Sequence, residues 1–96
     1  MTANYDIAAF VGKPTKQNIQ AELVKRFVKR RKEQKITQKE LSQKSGVTYA
    51  SVRRFENTGE ISLTSLLRLA QTINCLEDFN SLFNSPVMQN LKDYRP

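Results

Sequence analysis

A chain of 96 residues, 39% of them hydrophobic, can bury one core and has no surplus for a second, and a formal charge of +7 suggests a polyanionic partner. A single cysteine, Cys75, and no histidine exclude a disulfide framework, zinc sites of the usual ligand types and histidine acid–base catalysis, so no enzyme, metal or cofactor is expected. The apolar clusters fall far short of the roughly 20 residues that span a bilayer, and Met1 to Val11 places Asp6 and no basic residue before its apolar patch, so a cytoplasmic protein without a membrane partner is expected.

The charge is unevenly placed. From Lys13 to Arg54 there are 13 Lys/Arg against Glu22, Glu33 and Glu40, a local charge of +10. From Phe55 to Pro96 only Arg68, Lys92 and Arg95 face Glu56, Glu60, Glu77, Asp78 and Asp93, a local charge of −2. A basic half joined to a mildly acidic half suggests a polyanion on one side and a different partner on the other.

In chain order, residues 1–15 read as an N-terminal extension. Ile19, Leu23, Val24, Phe27, Val28 and Arg31 then recur at helical spacing, which predicts an amphipathic helix over Lys16 to Gln34. Its other face carries Lys25, Arg26, Lys29, Arg30 and Lys32, either a solvated charged face or part of a polyanion site. Thr37-Gln38-Lys39-Glu40 has the capping-box form, so a second helix should start at Gln38 and stop at Gly46, where a left-handed residue is needed. Thr48 can cap a third helix, Tyr49 to Asn57, with Val52 and Phe55 on its buried side. Ser62 caps a fourth, carrying Leu63, Leu66, Leu67, Ala70 and Ile73. A fifth is expected from about Leu76 to Phe83. Asn84, Ser85 and Pro86 stop it, and the folded domain is placed at 16–84 with residues 85–96 as a tail. Cys75, between two helices with no histidine to activate it, reads as a filler or cap.

Two short helices joined by a glycine-containing turn are the parts of a helix-turn-helix, in which the second helix lies in the major groove. With Val52 and Phe55 buried, Tyr49, Ala50, Arg53 and Arg54 remain as candidate base-reading residues. An arginine can donate two parallel hydrogen bonds to guanine O6 and N7, and either Arg53 or Arg54 could do so or could neutralise a phosphate instead. Tyr49 could stack on the backbone, touch a thymine methyl or pack on the preceding helix. Lys39, Lys44, Thr48, Ser51 and Asn57 are candidate phosphate contacts. Leu76, Phe79, Leu82 and Phe83 either close the core or form a dimer interface, together with Val87 or Met88.

Several stretches together carry a family resemblance. Arg31-Lys-Glu-Gln-Lys-Ile-Thr-Gln38, Glu40-Leu-Ser-Gln-Lys-Ser-Gly-Val47, Ser51-Val-Arg-Arg-Phe-Glu56 and Ser62-Leu-Thr-Ser-Leu-Leu-Arg-Leu-Ala70 resemble the lambda-repressor/Cro helix-turn-helix family, also called XRE. The resemblance covers Val24 to Ile73. It implies an all-α, five-helix DNA-binding domain, a homodimer on a palindromic operator, and transcriptional repression. It also implies a phosphate contact from Gln38, base contacts from Tyr49, Ala50 and Arg54, and a structural ion pair between Arg31 and Glu56. Such a pair suits an arginine on an apolar stripe, where an unpaired charge would be costly.

Two departures stand out. Lys35 occupies a position where a glycine is common, and Asn57-Thr58-Gly59-Glu60-Ile61 is less basic than the usual loop, implying fewer phosphate contacts there. Arg53-Arg-Phe-Glu-Asn-Thr-Gly-Glu-Ile-Ser-Leu63 followed by Cys75-Leu-Glu-Asp-Phe79 is similar to small antitoxins encoded beside HipA-like kinase toxins. That branch implies a toxin partner, with DNA binding serving autoregulation.

Overall fold

The computed structural model describes residues 15–86. They form α1 (Lys16–Glu33), α2 (Gln38–Ser45), α3 (Tyr49–Thr58), α4 (Leu63–Thr72) and a short 3-10 turn, Leu76–Phe79. The N-terminal extension lies outside the described residues except for Thr15, as does most of the tail, with Val87 and Met88. Among the described residues no helix is long and apolar enough to cross a membrane.

Each α-helix begins where a short hydroxyl side chain can satisfy an otherwise orphaned backbone N–H. The hydroxyls of Thr15, Thr37, Thr48 and Ser62 accept from the backbone N–H of Asn18, Glu40, Ser51 and Ser65 respectively. At α2 the box is reciprocal, because the Glu40 carboxylate accepts from the Thr37 backbone N–H. Gly46 and Gly59 close α2 and α3 with φ of 82°, a left-handed geometry that a side chain would strain.

The core is the set of faces these helices turn inward: Phe27 from α1, Leu41 from α2, Val47 from the turn, Val52 and Phe55 from α3, and Leu69 and Ile73 from the end of α4. Phe27 and Phe55 meet edge to face with ring centroids 5.2 Å apart, the arrangement the ring quadrupoles favour. Burying each such side chain stabilises the fold by about 1.5–3 kcal/mol. α2 packs on both α3 and α4, and α1 packs on α3. Polar side chains tie the loops to this frame, with Gln34 Nε2 donating to the Ile73 carbonyl and the Ser42 hydroxyl to the Val47 carbonyl.

The expected fifth helix, Leu76 to Phe83, does not form, so the described residues hold four α-helices and one 3-10 turn rather than five helices. Cys75 offers no side-chain cap, and the chain continues through i to i+3 bonds, Asn80 N–H to Glu77, Leu82 N–H to Phe79 and Asn84 N–H to Ser81. Phe83 takes a φ of 63° and is 96% exposed. Phe83 thus has no core face to pack on and Leu82 stays 55% exposed, and helix formation in short segments depends on such packing. Elsewhere the boundaries differ by one residue: Gln34 caps α1 rather than ending it, and α3 extends to Thr58.

Candidate nucleic-acid interface

α3 is amphipathic, and burying Val52 and Phe55 decides which of its side chains face water. Tyr49, Ala50, Arg53, Arg54 and Asn57 are all exposed, Tyr49 by 45%. The Arg53 guanidinium sits over the Tyr49 ring, 5.7 Å from its centroid, a cation–π contact that preorganises both side chains at the start of the helix. Arg54 donates through Nη2 to Glu60 Oε1. The exposed face of α3 is thus polar and carries two arginines, one of them paired with Glu60.

Beside it stands the N-terminus of α2. Its capping box occupies the backbone N–H groups of Thr37 and Glu40, while those of Gln38 and Lys39 meet no acceptor among the described residues within the first turn, where the helix dipole is positive. Gln38 is half-buried and donates through Nε2 to Glu56 Oε1 at 2.8 Å, so its side chain is anchored to α3. Lys39 and Lys44 are exposed on α2. Thr48 is exposed at the head of α3 and donates to the half-buried Ser51 hydroxyl. The Thr37 backbone N–H, helped by its hydroxyl and by Lys44, holds the Glu40 carboxyl below its usual pKa, so the carboxylate persists at the head of α2.

The orientation of α3 is set by one buried polar junction. Arg31 donates through Nε and Nη2 to the two oxygens of Glu56, at 2.8 and 2.9 Å, and through Nη1 to the Ile36 carbonyl. The side chains are only 8% and 6% exposed. Glu56 therefore takes a bidentate guanidinium from α1 and an amide from α2 while itself belonging to α3, so every charged group in the junction is paired.

Two features went unread in the sequence. The Arg54–Glu60 contact spans six residues across a glycine turn, and the left-handed stop at Gly59 was the signal that the chain folds back onto the helix. Gln20 Nε2 donates to the Gly59 carbonyl, a long-range bond for which the sequence carries no signal. Leu76, Phe79, Leu82 and Phe83 lie away from the α3 face. Phe79 and Leu82 line a groove of about 300 Å³ with Leu23, Phe27, Leu66 and Cys75, whereas Leu76 and Phe83 are exposed. Burial pushes the Cys75 thiol up in pKa against the opposing pull of Arg30, which leaves it a weak nucleophile.

Among the described residues no cluster of three or more His, Cys, Asp or Glu could hold a metal ion. Comparisons with curated proteins and with solved structures give no match. A helix-turn-helix family model matches residues 28–79, just over half of the chain and the segment that carries α2, the turn and α3. The chain belongs to the XRE family of helix-turn-helix proteins, whose domain is a DNA-binding regulatory one rather than a catalytic one.

Proposed function

We propose that the protein is a sequence-specific transcriptional repressor that binds a palindromic operator as a homodimer, inserting α3 into the major groove. The observation that carries this reading is the exposed face of α3, where Tyr49, Ala50, Arg53 and Arg54 stand clear of a fully paired junction that fixes the helix behind them. Arg53 and Arg54 supply guanine-reading donors and Ala50 suits a thymine methyl. The α2 N-terminus, with Gln38 and Lys39, grips phosphates on one side together with Lys44 from the last turn of α2, and Thr48, Ser51 and Asn57 do so along the groove. Dimer contacts come from Leu76, Phe79, Leu82 and Phe83, of which Leu76, Leu82 and Phe83 are exposed. A two-fold dimer would place its reading helices about 34 Å apart.

The same exposed side chains support a second reading: an antitoxin that holds a HipA-like kinase toxin through them and uses DNA binding to regulate its own operon. Co-purification with the product of a neighbouring kinase-like reading frame would favour it.

Selection from a randomised duplex library, followed by affinity measurements across salt concentrations, tests the first reading. Arg54→Ala is expected to relax preference at one base position, at a cost of about 1–3 kcal/mol on the selected duplex. Lys39→Ala or Lys44→Ala should weaken all duplexes alike and flatten the salt slope by about 0.9 per lost phosphate contact. Binding with no preferred sequence would sink the repressor reading.

A further inference from the structure

Arg54 does not point freely into solvent. α3 ends at Gly59, whose left-handed φ of 82° turns the chain back so that Glu60 lies beside the helix it has just left. Thr58 fixes the return: its hydroxyl donates to the Arg54 carbonyl at 2.7 Å and accepts from the Glu60 backbone N–H at 3.1 Å. From the other side Gln20 of α1 donates to the Gly59 carbonyl at 3.2 Å. A β-carbon at residue 59 would stand 3.2 Å from the Gln20 β-carbon, so the turn is held closely as well as twisted. The Glu60 carboxylate that results contacts Arg54 through one oxygen and one nitrogen only, which leaves the guanidinium most of its five N–H donors, enough for a parallel pair.

We propose that Glu60 is a specificity-determining residue of the DNA-binding face, acting as a positioning residue through Arg54. This deepens the reading of Arg54 as a base contact and rests on it. The carboxylate does two things at once. It restricts the arginine to a narrow set of rotamers above the groove, so that less freedom is lost when the guanidinium meets a guanine edge. It also offsets the arginine's charge, so that a phosphate, which offers only point-charge attraction, gains less from Arg54 than a base edge offering two aligned acceptors. Phosphate attraction supplies essentially all of non-specific binding. A neutralised arginine therefore lowers affinity for wrong sequences more than for the right one, and selectivity rises without a further base contact.

The test compares the full chain with Glu60→Gln, Arg54→Ala and the double variant. The probes are the duplex that the unaltered protein selects from a random library and a scrambled duplex of the same composition, each titrated at several salt concentrations. Glu60→Gln keeps shape and hydrogen bonding and removes charge at an exposed site, so folding is preserved. The expected result is about two- to fivefold tighter binding of the scrambled duplex, a salt slope steeper by about 0.9, a smaller change on the selected duplex, and no such gain in the Arg54→Ala background. Equal tightening on both duplexes, or the same gain without Arg54, would overturn the proposal and make Glu60 a diffuse surface charge. Full selectivity in Arg54→Ala would overturn the base-contact reading on which it rests, and absence of selectivity in the unaltered protein would overturn both.

Discussion

Lys35 follows the end of α1 with a φ of 58°, and its N–H donates to the Lys32 carbonyl to close the last turn. An L side chain in this region costs about 1–2 kcal/mol, partly offset by the entropy a glycine would lose on folding. Lys35→Gly is therefore expected to stabilise the fold by ~0.5–1 kcal/mol, seen as a higher urea midpoint with an unchanged m-value; a lower midpoint would show that the lysine side chain contributes something its geometry does not. The opposite outcome is expected at Arg31, buried to 7% exposure. Arg31→Met strands the Glu56 carboxylate, and removing one partner of a buried pair costs about 3–5 kcal/mol. The glycine preference at position 35 was visible in the sequence as a departure from the family pattern, whereas the strain that makes it matter is a dihedral angle and has no sequence counterpart.

The helices themselves were largely legible because their boundaries are local chemistry. Thr37 with Glu40, Thr48 and Ser62 are caps whose hydrogen bonds span three residues, and Gly46 is a stop with nothing within 4 Å of where its β-carbon would lie. Thr37→Ala should cost about 1 kcal/mol at neutral pH. The Glu40 pKa is lowered in the fold, so its contribution is present above the unfolded value of 4.5 and lost as pH falls through the folded value. Urea titrations at falling pH should show the gap between Glu40→Ala and the unaltered protein narrowing in acid; a constant gap would mean the carboxylate half of the box contributes nothing. The segment after Cys75 was misread because Leu76, Phe79, Leu82 and Phe83 keep helical spacing, yet spacing alone does not provide a surface to pack on. What was missing from the sequence was the distribution of neighbours.

At the scale of the whole molecule, exposed apolar side chains gather after α4 as well as standing singly at Ile19, Tyr49 and Leu63. One side presents the cationic face of α3 and the head of α2, and another presents Leu82, 55% exposed, and Phe83. Apolar side chains left in water on a domain this small mark an association surface when they cluster. Sedimentation is expected to find a dimer, and Leu82→Ser with Phe83→Ser to give a monomer that remains folded, since both residues are exposed in the protomer. A monomer before substitution would remove the self-association. The groove beneath, lined by Leu23, Phe27, Leu66, Cys75 and Phe79, was implicit in the apolar stripe of α1, but its openness depends on how far the 3-10 turn stands from that helix.

The junction at Glu56 has a further consequence, for how this sequence can drift. One carboxylate serves α1 through Arg31 and the head of α2 through Gln38 while riding on α3. Positions 31, 38 and 56 are therefore not free to vary singly: each accepted change must arrive with its complement, as a charged set or as an apolar set of similar volume. The side chains at positions 53 and 54 carry no such tie to the core, so they can vary while the framework stays constant. The protein thus divides its mutational freedom between a linked trio that preserves the frame and a surface pair, Arg53 and Arg54, of which Arg54 varies together with Glu60.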